Sequence, residues 1–136
     1  MNRYLLDTNA LSSLVRRSSG AVRQRILSLP KGAVVTSPIV LCEVRFGLEK
    51  RNSAALNERV RKTLNALEVL PLSPGFPEIY GKLRATLEAA GTPIGAMDLL
   101  IAAHALSEGV TLVTANVREF TRVPGLRIEN WEAEAG

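Results

Sequence analysis

Apolar residues in this chain come in two rhythms: runs of three or four that stop abruptly, and longer stretches where they recur every three or four positions. The first kind reads as short strands buried on both faces, the second as helices with one apolar face. Tyr4-Leu5-Leu6 is such a run and ends at Asp7. Ala10, Leu11, Leu14 and Val15 then keep helical spacing, so the opening predicts strand, sharp turn, helix. After the polar break at Arg16 to Gly20, Val22, Ile26, Leu27 and Leu29 predict a second short helix ending at Pro30. Ala33-Val34-Val35-Thr36 is the next strand, and Ser37-Pro38 supplies an N-cap and a first-turn proline for a helix from Ile39 to about Gly47.

Between Asn52 and Leu67, Leu56, Val60, Leu64 and Leu67 share one face and Arg59, Arg61 and Lys62 lie off it, predicting an amphipathic helix with a basic side. Val69-Leu70-Pro71-Leu72 fits only an edge strand, because proline cannot donate within a central ladder. A helix from about Gly75 to Ala90 closes at Gly91. Ala96 to Leu106 is apolar nearly all round, which places that helix against the sheet. Val110 to Thr114 and Arg127 to Glu129 complete the strands. Strands alternating with helices imply an α/β fold on a mostly parallel sheet covered on both faces, and no linker divides residues 1–136 into more than one domain.

Composition narrows the chemistry. A hydrophobic content of 46% excludes a disordered chain, and a net charge of +4 leans toward a polyanionic partner. The single cysteine, Cys42, excludes an intrachain disulfide and points to a reducing cytoplasm. The first apolar run is too short for a secretory signal, and no stretch reaches the roughly 18 apolar residues of a membrane span.

Against this background three acids stand out. Asp7 ends a buried strand, where sites form in open α/β sheets. Glu43 falls within the stripe formed by Ile39, Val40, Phe46 and Gly47, and a core-facing glutamate is costly unless paired or metal-bound. Asp98 shares its helix face with Ile101, Ala102 and Ala105. Each acid has a structural alternative: a cap for Asp7, a dipole contact for Asp98, a buried ion pair with Arg45 or Arg84 for Glu43. Together they suit a hard cation, Mg²⁺ or Mn²⁺, which would lower the pKa of an attacking water and neutralise charge on a phosphodiester. Arg16, Arg17, Arg45, Lys50, Arg51, Arg59 and Lys62 are available to hold a nucleic-acid backbone. His104 lies about 240° round its helix from Asp98, so the two cannot ligate one ion. Cys42 lacks a basic neighbour on its helix face, and no glycine-rich phosphate loop is present.

The segments Leu5-Leu6-Asp7-Thr8-Asn9, Thr36 to Gly47 with Glu43, Ala96 to Leu106 with Asp98, and Leu112 to Phe120 followed by Val123 to Trp131 resemble a PIN domain of the VapC toxin type over essentially the whole chain. The resemblance implies an α/β/α sandwich and a Mg²⁺- or Mn²⁺-dependent endoribonuclease acting on tRNA or ribosomal RNA. It also implies inhibition by a VapB-type antitoxin and a homodimer. By motif match Asp7, Glu43 and Asp98 become the acids of the site, and Thr114 the hydroxyl residue that closes it. Many PIN domains carry a fourth acid where this chain has Asn116, and Glu119 stands three residues on. Two other readings compete: a phosphotransferase with Asp7 as nucleophile, disfavoured because Asn9 replaces its second acid, and a catalytically silent RNA- or antitoxin-binding module of the same fold.

Overall fold

The computed structural model describes residues 2–16 and 20–132. The order of elements is β1 (Tyr4–Leu6), α1 (Thr8–Arg16), α2 (Ala21–Leu27), β2 (Val34–Thr36), α3 (Pro38–Arg51), α4 (Ala54–Asn65), β3 (Glu68–Val69), α5 (Phe76–Ala89), α6 (Ala96–Glu108), β4 (Thr111–Val113), α7 (Val117–Phe120) and β5 (Ile128–Glu129). The strands form one all-parallel sheet in the order β3-β2-β1-β4-β5. From β1 to β3 the chain steps one way across the sheet, and from β3 to β5 it returns past β1 the other way. Right-handed crossovers therefore put the helices of the two runs on opposite faces, giving an α/β/α sandwich.

The core strands are short and wholly apolar in their central positions because both faces are covered: Leu5, Leu6, Val35, Leu112 and Val113 are buried. Register sets Leu6 beside Val113, so the chain leaves β1 and β4 side by side. These two strands flank the point where the direction of winding reverses, and crevices in such sheets open there.

Several boundaries differ from the sequence reading. The helix expected to stop near Gly47 continues to Arg51 and closes on Asn52 in the left-handed conformation (φ 49°). Buried Leu48 ties its last turn to the core, and Lys50 and Arg51 suit its negative end. β3 begins earlier, at Glu68, and its pairing with β2 gives out at Leu70, whose N–H donates to Thr36 O at 3.0 Å, one residue before Pro71. The short α7 was not anticipated; four residues carry too little periodicity to be seen. Among the described residues no helix is long and apolar enough to cross a membrane.

Candidate active site: four carboxylates at the sheet edge

Asp7 is placed by the strand before it and the helix after it. Its N–H continues the ladder to Val113 O (3.1 Å), its carboxylate accepts from the Ala10 N–H (2.8 Å), and only 5% of it is exposed. So the helix-capping role foreseen as an alternative is present, but it engages one oxygen of a group buried beyond what a cap needs. Thr114, just past β4 and buried, donates its hydroxyl to Asp7 while its oxygen accepts from the Asn116 N–H at 2.9 Å. Burial raises the Asp7 carboxyl above the usual range, the bonds from Thr114 and Ala10 pull it back, and the charges of Glu132 and Glu43 add to the rise.

Glu43 projects from α3 toward the start of α1, where its carboxylate accepts a hydrogen bond from the Thr8 hydroxyl. Neither arginine considered as a partner reaches it: Arg45 lies 3.5 Å from Glu49, and Arg84 pairs with Glu88 at 2.9 Å. The stripe inferred around Glu43 is also narrower than expected. Phe46 is 64% exposed, with Lys50 over its ring, so the buried line runs through Val40 and Leu48 and Glu43 stands at its border.

Asp98 sits in the first turn of α6, close behind Gly95, and is half-buried. Its carboxyl is pushed up to about 7 by burial first, then by a hydrogen bond with Glu119 and by the charges of Glu119, Glu43 and Asp7. A bond between two carboxyl groups requires a proton on one of them. Oε1 of Glu119 is buried and receives no hydrogen bond from an N–H or hydroxyl donor. Asn116 is exposed and reaches the group only through its backbone N–H on Thr114.

The structure therefore brings Asp7, Glu43, Asp98, Glu119 and Thr114 to the ends of β1 and β4, and none of the four acids forms an ion pair among the described residues. No three of them close into a ready-made ligand cage. A hard cation that keeps several waters needs one or two carboxylates and no such cage, and the all-oxygen donor set with an unsatisfied buried Glu119 oxygen fits one. Glu132 is an acid the sequence reading missed: it lies in a turn after β5, and only the register of β5 beside β4 carries it toward Asp7.

His104 stands apart, fully buried, with Nδ1 2.8 Å from Ser37 Oγ and Nε2 3.2 Å from Pro71 O. It is a core histidine. Cys42 is exposed on α3. Of the basic residues, Arg16, Arg51 and Arg59 line a groove that runs up to Thr8 and Glu43; Arg17 lies outside the described residues.

A family model described as the PIN domain matches residues 4–126. The chain is 37% identical over 131 residues to Ribonuclease VapC2 of Rickettsia felis, covering 95% of this chain and 98% of that one. It is also 37% identical over 132 residues to the tRNA(fMet)-specific endonuclease VapC of Salmonella typhimurium, covering 96% and 99%. Its fold superposes with a TM-score of 0.86 on a chain in the crystal structure of VapBC2 from Rickettsia felis bound to a promoter DNA fragment, at 36% identity and with 94% and 98% covered.

Proposed function

This chain belongs to the PIN-domain family, among its VapC-type ribonucleases, and from that premise we propose that Asp7, Glu43 and Asp98 hold a divalent cation, Mg²⁺ or Mn²⁺, for hydrolysing RNA. What supports this is the convergence of four carboxylates at one edge of a parallel sheet with no cationic side chain paired to them. Such a cation would lower the pKa of an attacking water and offset charge growing on the phosphate. The protein's own residues set up the rest. Thr114 and the Ala10 N–H fix the Asp7 carboxylate from behind, and Thr8 orients Glu43. Glu119 stands beside Asp98 and takes the place of the acid missing at Asn116. Deprotonated, Asp98 would present its charge to an incoming cation; protonated, it would bind one less.

The Salmonella relative's name points to tRNA as the substrate class, and the Rickettsia complex to a VapB-type antitoxin as partner. We place the chain in the cytoplasm, as a single domain that pairs with a second copy. The test is cleavage of a total tRNA pool by purified wild type, Asp7→Asn and Asp98→Asn with Mg²⁺ or EDTA. Each variant should keep its circular dichroism spectrum and lose on the order of 10²-fold or more in rate. Full activity of wild type in excess EDTA would sink the metal-dependent reading.

A further inference from the structure

Gly47 lies inside α3, one turn of about 5.4 Å from Glu43 on the same face. A glycine there weakens the helix, and neither of the usual reasons for one applies. Its backbone does not need a positive φ, and an added Cβ would meet nothing within 4 Å. What the missing side chain does is leave the α3 backbone bare along a groove between α1, α3 and α4.

The groove has a volume of about 390 Å³ and begins at Thr8 and Glu43, so it meets the candidate site at one of its four acids. Leu11, Val15, Leu48 and Val60 supply apolar wall, and Arg16, Arg51 and Arg59 stand round it. Arg3, Arg25, Arg45, Arg61, Lys82 and Arg84 are each paired with a carboxylate. The three groove arginines are in no ion pair among the described residues, and Glu43 at its mouth is the groove's sole acid. An apolar trough ringed by three free cations is complementary to a flat aromatic base on a polyanionic strand.

We propose that this groove is a subsite for one nucleotide of single-stranded RNA, next to the scissile phosphate. The unstacked base lies over Gly47, and the flanking phosphates meet Arg16, Arg51 and Arg59. The subsite rests on the ribonuclease reading above and adds to it a requirement that the substrate be unpaired at that position. A base inside a duplex could not enter a trough between three helices.

The probe is a fluorescent single-stranded oligoribonucleotide, with a duplex of the same sequence as its counterpart, titrated by anisotropy in EDTA. Gly47→Leu should melt at or above wild type and bind the single strand at least tenfold more weakly, with Gly47→Ala between. Arg51→Gln with Arg59→Gln should weaken binding and reduce the slope of log affinity against log salt by about 0.7 per lost contact. Lys82→Gln, on the exposed side of α5, should match wild type, and the duplex should bind wild type and Gly47→Leu alike. In Mg²⁺, Gly47→Leu should raise KM with kcat little changed. Should Gly47→Leu fail to fold, the arginine pair decides. If folded Gly47→Leu binds and cuts RNA as wild type does, whether or not it has lost hold of an antitoxin, the subsite is overturned and the ribonuclease reading stands. If wild type does not cut RNA but Gly47→Leu still loses single-strand affinity, the ribonuclease reading falls and the groove remains an RNA site.

Discussion

A carboxyl group held near neutrality makes the folded protein bind a proton that the unfolded chain has already released. Asp98, raised from 3.8 to about 7, is such a group. Between those values the folded state carries more protons, so the Asp98 contribution to stability is full below about pH 4 and is lost as pH rises through 7. His104 acts in the opposite sense. Burial lowers its pKa below 6.5, so the unfolded state protonates first and stability falls as pH drops beneath that value. Comparing variants separates the two. In EDTA, Asp98→Asn should gain on wild type between pH 5 and pH 8 by about 1–2 kcal/mol, read from urea unfolding at each pH. Glu119→Gln, which removes the charge beside Asp98 but leaves the burial that raises it most, should recover the smaller part of the same difference. An Asp98→Asn advantage that is the same at both pH values would remove the raised Asp98 pKa from the account. At this scale the acids were legible because a charge within an apolar face has few explanations. The bond from Thr8 to Glu43 was not, since 35 residues separate the two and only the packing of α1 on α3 joins them.

Among the elements, α3 carries most of the organisation, and its start is tied to α6 through one hydroxyl. Ser37 Oγ accepts from the Ile39 N–H at 3.1 Å and donates to His104 Nδ1 at 2.8 Å, which leaves the imidazole Nε2–H to donate to Pro71 O. The cap was readable from Ser37-Pro38, as was the buried character of the helix from Ala96. The histidine bond was not, because Ser37 and His104 are 67 residues apart and meet only once β3, α5 and α6 have folded back along the sheet. Ser37→Ala should therefore cost more than a lost cap. About 1 kcal/mol goes with the cap and about 1–3 more with the stranded, buried His104 nitrogen, for a total of about 2–4 kcal/mol in denaturant unfolding at pH 8. RNA cleavage per folded molecule should be unchanged, since Ser37 touches none of the four acids. A loss confined to 1 kcal/mol would mean that the imidazole finds another partner. Element ends were read less well than element types. Where the sequence reading stopped α3 at Gly47, buried Leu48 and the left-handed Asn52 carried it four residues further, a tertiary effect that local pattern does not contain.

The molecule as a whole is positive, at +4, yet the face that must meet RNA has a negative centre: Asp7, Glu43, Asp98 and Glu119 inside a border that includes Arg16, Arg51 and Arg59. Net charge draws a polyanion in from a distance, while the centre repels the one phosphate that has to settle there. A bound cation reverses the sign of that centre, so affinity for RNA and affinity for the cation should be linked, each raising the other. The carboxylates alone reveal the repulsive half of this linkage. In EDTA at pH 8 and low salt, Asp98→Asn should bind single-stranded RNA more tightly than wild type, because it removes one like charge a few ångströms from the phosphate. About 1 kcal/mol at the dielectric of a partly exposed site corresponds to about fivefold. At pH 6 wild-type Asp98 is itself mostly protonated, so the two proteins should then bind nearly alike, and salt near 0.5 M should shrink the pH 8 difference by screening. Anisotropy titrations at the two pH values and two salt concentrations measure all of this with one probe and no catalysis. Equal affinities at pH 8 would mean that the scissile phosphate does not approach Asp98, and the position assigned to it at the ends of β1 and β4 would have to move.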